Sequence, residues 1–278
     1  MFSFFRGKKS SSAKTSDETV AESFEDYPQL FDYFKTLSGI HFGTKESITV
    51  EKMKNFALRH GIHRFDTLLD ILRQDPGLRQ QFIDLLTVNE TFFFREYEQI
   101  ACLCSIIKEA KQKMHILCAP TSTGEEVYSI ILALEEAGIP SETYEVTGID
   151  INASAIQRAQ AGYFSERSVN RLNSTLKKRF FSEEEHGYRI LPQIRQKASF
   201  YQMNIFDPEM LRLGRFDIIL SRNLFIYFDE DQKQEAIRIF HRMLNPEGVI
   251  FFGHADILNP PPSLERVYAD GTRYYRKV

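Results

Sequence analysis

The sequence predicts an α/β fold, a doubly wound parallel sheet preceded by a small all-helical domain. Three observations carry that prediction. Between Tyr27 and about Val88 apolar residues recur at three- and four-residue spacing, the period of amphipathic helices. After Thr91 short apolar runs alternate with helical patterns, the signature of parallel strands joined by right-handed crossovers. Nowhere in the 278 residues is there a run of about 18 apolar residues that could span a bilayer.

The chain starts Met1-Phe2-Ser3-Phe4-Phe5-Arg6, an apolar stretch too short for a secretory signal. Residues to Glu22 are rich in Ser, Lys and Thr, so 1–22 reads as a disordered tail. Phe2, Phe4 and Phe5 are then either unstructured or a docking tag. A helical domain follows over 23–88. Leu30, Phe31, Phe34 and Leu37 make the first stripe and stop near Gly39; Ile48–His60 and Phe65–Leu72 repeat it, with breaks at Gly61 and Asp75-Pro76-Gly77.

The second domain, 89–278, holds the strands. Met114–Ala119 is the first, followed by a helix over Glu125–Ala137. Tyr144–Asp150 is the second, followed by a helix over Ser154–Ala161. Phe216–Ser221 and Gly248–Gly253 are the third and fourth. Between Phe180 and Met203 the pattern changes: Gly187–Pro192 and Ala198–Tyr201 predict short antiparallel strands, because helix does not run easily through that Gly and Pro.

Composition narrows the function. With 42% hydrophobic and 13% aromatic residues the chain can bury a sizeable core. A net charge of -3 argues against nonspecific nucleic-acid binding, which needs a basic surface. Cys102, Cys104 and Cys118 form no Cys-x-x-Cys pair, so neither a disulfide framework nor a zinc ribbon fits, and reduced thiols in the cytoplasm are the simple reading. His60 and His63 have no third ligand near them in sequence, and no metal site is expected.

Ligands of an open α/β sheet bind at the carboxyl ends of its strands. The first strand runs into Pro120-Thr121-Ser122-Thr123-Gly124-Glu125-Glu126. Small and hydroxylated residues let the backbone approach a ligand there. Glu125 would repel a phosphate and suit a cationic group such as an α-ammonium; the alternative is that Glu125 and Glu126 only complement the helix dipole. Asp150 ends the second strand, where a carboxylate can accept both hydrogen bonds of a ribose diol; the alternative is an N-cap, although Asn152 and Ser154 could serve as well. Together these features indicate a nucleoside cofactor without saying which. A Gly-x-Gly-x-x-Gly loop is absent, which weakens a nicotinamide reading. In Asn89-Glu90-Thr91-Phe92-Phe93-Phe94-Arg95-Glu96, packing explains Phe93 and Phe94 but not Asn89, Thr91 or Arg95. Arg222-Asn223 follows the third strand directly, with Tyr227 four residues on.

Four blocks make a specific resemblance. Thr87–Glu96, Ser122–Ser129, Ser221–Asp229 and Gly253-His254-Ala255 resemble, in order, the motifs of CheR-type chemotaxis methyltransferases, over roughly residues 27–275. The resemblance implies a Rossmann-like S-adenosylmethionine methyltransferase domain, an N-terminal all-helical domain and a small antiparallel β insertion at about 180–203. It implies S-adenosyl-L-methionine as cofactor and S-adenosyl-L-homocysteine as product. Asn89, Thr91, Arg95, Glu125, Asp150, Asn204, Ile205, Arg222 and Asn223 would meet the cofactor, with Asn204-Ile205 at the adenine and Arg222-Asn223 at the methionine end. Arg95 and Tyr227 would stand beside the transferring methyl. The implied reaction is esterification of glutamate side chains on methyl-accepting chemotaxis receptors, by a cytoplasmic monomer that meets membranes only through that partner. Some family members also bind a peptide tether at the receptor C-terminus through the β insertion.

The chain departs from the family pattern at Pro120, where a small residue is usual, at Val127, commonly Pro, and in its second helix. That helix is typically Arg-rich, whereas Lys45, Lys52, Lys54, Arg59 and His60 here are interspersed with Glu46 and Glu51. Two other readings stay open. One is a non-catalytic module that binds S-adenosylmethionine or S-adenosylhomocysteine and signals to a partner. The other is a methyltransferase for a small molecule, which the helical domain and β insertion disfavour.

Overall fold

The computed structural model describes residues 22–43 and 46–278. The expected tail, apart from Glu22, and Lys45 lie outside the described residues.

Four helices make the N-terminal domain: α1 (Tyr27–Ser38), α2 (Glu46–Arg59), α3 (Phe65–Gln74) and α4 (Pro76–Leu86). Their apolar faces close on Leu30, Phe34, Met53, Phe56, Phe65, Leu68, Leu72, Phe82 and Leu86. The break at Asp75-Pro76-Gly77 is also a start. Asp75 accepts from the amides of Gly77 and Leu78, and Pro76 takes the first turn of α4, where no N–H is needed. Gly39 ends α1 at φ 76° with Phe206 against it; an added Cβ would meet that ring at 2.3 Å.

The second domain runs α5 (Tyr97–Glu109), β1 (Met114–Cys118), α6 (Glu125–Glu136), β2 (Tyr144–Asp150), α7 (Ala153–Ala161), β3 (Tyr163–Phe164), α8 (Ser174–Phe180), β4 (Phe181–Glu184), β5 (Gly187–Ile190), α9 (Pro192–Arg195), β6 (Ala198–Gln202), β7 (Phe216–Ser221), α10 (Glu230–Met243), β8 (Leu244–Phe252), β9 (Leu264–Ala269) and β10 (Thr272–Lys277). The main sheet has seven strands in the order β6-β2-β1-β7-β8-β10-β9. The first five are parallel, and β10 pairs antiparallel with β8 and β9. Chain order reverses between β1 and β7, so the crevice at their carboxyl ends is the expected binding position. One apolar cluster with Tyr128 and Phe164 covers one side, and a second with Phe225 and Phe240 covers the other.

The main differences from the sequence reading lie in the small sheet and at the C-terminal end. Ala198–Gln202 does not belong to the antiparallel insertion: it pairs parallel with β2 as an edge strand of the main sheet. The small sheet is instead β3-β5-β4, beginning at Tyr163, so the expected window of 180–203 is displaced toward the N-terminus. A five-residue strand after a turn carries no local mark of which sheet it joins. The antiparallel β9–β10 hairpin was also unforeseen, although its Asp270-Gly271 turn, with φ of 49° and 76°, is a strong hairpin signal.

Polar ties dock the helical domain on the strand ends. Asp84 of α4 accepts from the amides of Ala153 (2.9 Å) and Ser154 (3.0 Å) and from Ser154 Oγ (2.7 Å), so it caps the start of a helix in the other domain. Asn152 Nδ2 donates to Thr87 Oγ1 at 2.7 Å, Asn204 Nδ2 to the Leu37 carbonyl at 2.6 Å, and the His41 amide to the Tyr227 carbonyl at 2.8 Å. Lys35 and Asp229 pair at 2.7 Å. Asp84→Ala leaves several of these donors unpaired and is expected to destabilise the protein by roughly 2 kcal/mol, measured by denaturant unfolding. Unchanged stability would mean that Asp84 does not hold the two domains together.

Among the described residues no helix is long and apolar enough to cross a membrane. None of their His, Cys, Asp and Glu side chains form a group that could hold a metal ion.

Candidate active site

A cleft of about 500 Å³ opens between the helical domain and the carboxyl ends of β1, β2, β6 and β7. Pro120 and Ser122 follow β1, Asp150 ends β2, Met203, Asn204 and Ile205 follow β6, and Asn223 and Tyr227 follow β7. Ser38, His41, Phe42, Lys52 and Asn89 close it from the other side. Of the sequence-derived residues, the cleft therefore gathers Asn89, Asp150, Asn204, Ile205, Asn223 and Tyr227. Thr91, Arg95, Glu125 and Arg222 are not among the residues that line it.

The loop after β1 is tightly folded. Ala119 N donates to the Leu220 carbonyl at 2.9 Å and Thr121 N to the Ile149 carbonyl at 2.7 Å, so the loop is pinned to both neighbouring strands although Pro120 offers no amide. Gly124, at φ 93°, lets α6 start hard against α7; an added Cβ would meet Ala159 Cβ at 2.8 Å.

Asp150 is 6% exposed and its two oxygens accept from Ser122 N (2.8 Å) and Asn152 N (2.9 Å). Burial pushes its carboxyl up to about 6, against those amides. The N-cap alternative is settled by Asn152, whose Oδ1 accepts from Ala155 N at 2.7 Å and opens α7 itself. The Ile151 amide also acts on this carboxylate, which with about four acceptor positions still has room for a ligand donor. Ser122 Oγ is buried beside it with no partner among the described residues. Ile149, Ile151, Met203 and Ile205 add apolar wall. A nucleoside fits this set: a paired acceptor for a ribose diol, an unfilled hydroxyl and a flat apolar surface.

Glu125 and Glu126 are both buried, so neither acts as a solvated complement to the helix dipole. Glu125 is 2% exposed; it accepts from Thr123 Oγ1 at 2.6 Å and Ser168 Oγ at 3.0 Å, and burial raises its carboxyl above the ordinary range. The Arg222 guanidinium is spent inside the protein on Glu126 and on the Arg95 carbonyl. Asn204 faces the cleft, but its amide is tied to Leu37 and, through Oδ1, to the Phe206 N–H.

Arg95 is half-buried, donates to the Glu90 carbonyl at 3.2 Å and lies over the Phe92 ring at 5.7 Å. Burial raises the Tyr227 phenol and the Arg95 charge opposes the shift, so the hydroxyl stays protonated and available as a donor near neutral pH. The turn carrying Tyr227 is held by Asp256, 2% exposed, whose Oδ2 accepts from Asn223 N at 2.7 Å and Gly253 N at 2.9 Å. Sequence reasoning missed Asp256, although it directly follows the Gly253-His254-Ala255 block. It missed His41 and Phe42 as well, which reach the cleft only through tertiary docking.

The chain is similar to known proteins over most of its length. The family profile described as CheR methyltransferase, SAM binding domain, matches residues 89–271, and CheR methyltransferase, all-alpha domain, matches 25–87. A chemotaxis protein methyltransferase of Campylobacter jejuni is 35% identical over 263 residues, covering 94% of this chain and all of the relative. Chemotaxis protein methyltransferase 2 of Vibrio cholerae is 35% identical over 90% of this chain and 92% of its own length. The probable biofilm formation methyltransferase WspC of Pseudomonas aeruginosa is 34% identical over 74% of this chain and 50% of its own. The chain belongs to the CheR methyltransferase family, an S-adenosylmethionine-binding domain of Rossmann-like fold preceded by an all-α domain.

Proposed function

We propose that this enzyme transfers a methyl group to glutamate side chains of methyl-accepting chemotaxis receptors, acting as a cytoplasmic monomer of the protein-glutamate O-methyltransferase class. The observation that supports this reading most is the cleft itself, open at the junction of the two domains with Tyr227 in its wall and Arg95 close by. The near full-length relatives named as chemotaxis protein methyltransferases support a substrate that belongs to chemotaxis.

Bound S-adenosylmethionine supplies a methyl group on a sulfonium sulfur. Asp150 would accept the ribose hydroxyls, and Ile205 with Asn204 would flank the adenine. Asn89, Thr91, Glu125 and the Asn223 turn would hold the amino-acid end. A substrate glutamate, with an ordinary pKa of about 4.3, is already an anion at neutral pH and needs no general base. Arg95 would fix that carboxylate by charge-assisted hydrogen bonds, and the Tyr227 hydroxyl would donate to the oxygen that does not attack. Both then act by orientation.

Retention of Arg95 and Tyr227 favours the enzyme over a module that only binds the cofactor. The test is transfer of labelled methyl groups to a receptor cytoplasmic fragment, with its glutamates changed one at a time to alanine. Label lost at particular glutamates supports the reading. Cofactor binding without label on any receptor fragment would replace it with the binding module.

A further inference from the structure

Arg95 sits in an unusual piece of backbone. The residues on either side of it, Phe94 (φ 57°) and Glu96 (φ 50°), are both left-handed and neither is glycine. Such conformations persist only where the surroundings over-determine them. Here the Phe94 amide donates to Ser129 Oγ at 2.9 Å, and Phe93, fully buried, donates to the Ser168 carbonyl at 3.0 Å. Between the two left-handed residues, the Arg95 carbonyl accepts from Arg222 Nη1 at 2.7 Å.

Arg222 and Glu126 form a buried ion pair, with side chains 3% and 8% exposed. Such a pair is a poor source of stability, because desolvation offsets its attraction and an apolar pair of similar size often does as well. An apolar pair cannot, however, donate a hydrogen bond to the Arg95 carbonyl. Glu126 takes Nε of the guanidinium, which fixes its plane and aims Nη1 at that oxygen.

We propose that the Glu126–Arg222 pair is a positioning device for Arg95, so that the Arg222 side chain serves the reaction through the Arg95 backbone. The inference rests on the role given to Arg95 above. Its test compares three variants of the full chain: Arg95→Ala, the double replacement Glu126→Leu/Arg222→Met, and the triple combination. Methyl transfer, cofactor affinity by calorimetry and thermal midpoint are measured for each. The double variant is expected to melt within a few degrees of wild type and lose roughly 5- to 20-fold in kcat. The triple variant is expected to be no slower than Arg95→Ala alone, because both changes disable one group.

Wild-type kcat in the double variant, with Arg95→Ala slow, would overturn the inference and leave the role of Arg95 standing. So would losses that multiply in the triple variant, or a double variant that loses more cofactor affinity than Arg95→Ala does. Wild-type turnover in Arg95→Ala would take away both. Should the double variant fail to fold, Arg222→Lys keeps a cation opposite Glu126 without the planar fork that serves two acceptors. A lower kcat at unchanged melting supports the inference, and wild-type kcat overturns it.

Discussion

Arg95→Ala is expected to slow methyl transfer by roughly 100-fold or more while leaving the fold intact, as loss of a preorganised charge beside reacting atoms does. The structure explains why stability is spared. Among the described residues the guanidinium donates to the Glu90 carbonyl and lies over Phe92. The backbone contact with Arg222 uses the Arg95 carbonyl, which alanine retains. Steady-state kinetics with a thermal melt separate the two effects. Wild-type turnover would remove Arg95 from the mechanism.

Asp150→Asn is expected to weaken S-adenosylmethionine binding by roughly 10- to 150-fold, since a hydrogen bond to a charged acceptor contributes about 1.5–3 kcal/mol. The side chain keeps its shape, but one oxygen becomes a donor facing hydroxyls and amides that also donate. The same carboxylate gives cofactor affinity a pH dependence. Burial raises its pKa to about 6 in the free protein, and hydroxyl donors favour the charged form. Affinity therefore falls more steeply as pH drops from 7 to 5 in the wild type than in Asp150→Asn. For folding the sign is opposite. A raised carboxyl contributes stability that is fully present below its unfolded value, about 3.9, and is lost as pH rises through about 6. Calorimetric titration of both proteins across that range checks the prediction. A parallel pH profile in the two would mean that Asp150 does not hold the ribose.

What the sequence made legible was local. The bounds of β2 and β7 and the start of α6 coincide with the apolar runs and the loop that precede and follow them. Asp150 stands where the end of a strand puts a ribose acceptor, and its neighbour Asn152 takes the capping role. What was not legible depends on distant partners. Nothing near Asp84 in the chain shows that it caps α7, about seventy residues away. Arg222 beside Asn223 read as one pair of cofactor ligands, yet both lie past the end of β7, and the backbone turns between them, with Asn223 at φ 58°. Only Asn223 reaches the cleft wall, while the Arg222 side chain turns inward to Glu126. Ala198–Gln202 joined the wrong sheet in the sequence reading because pairing, and not periodicity, decides where a short strand goes.

The most direct measurement is the chemistry of the bond formed. Receptor-containing membranes from the source organism are incubated with the protein and methyl-labelled S-adenosylmethionine, then treated with mild base. Volatile label released as methanol is the expected result, because a glutamate methyl ester is cleaved by base and an N- or S-methyl group is not. Label that stays on protein after base, or passes only to small molecules, would contradict carboxyl methylation of receptors.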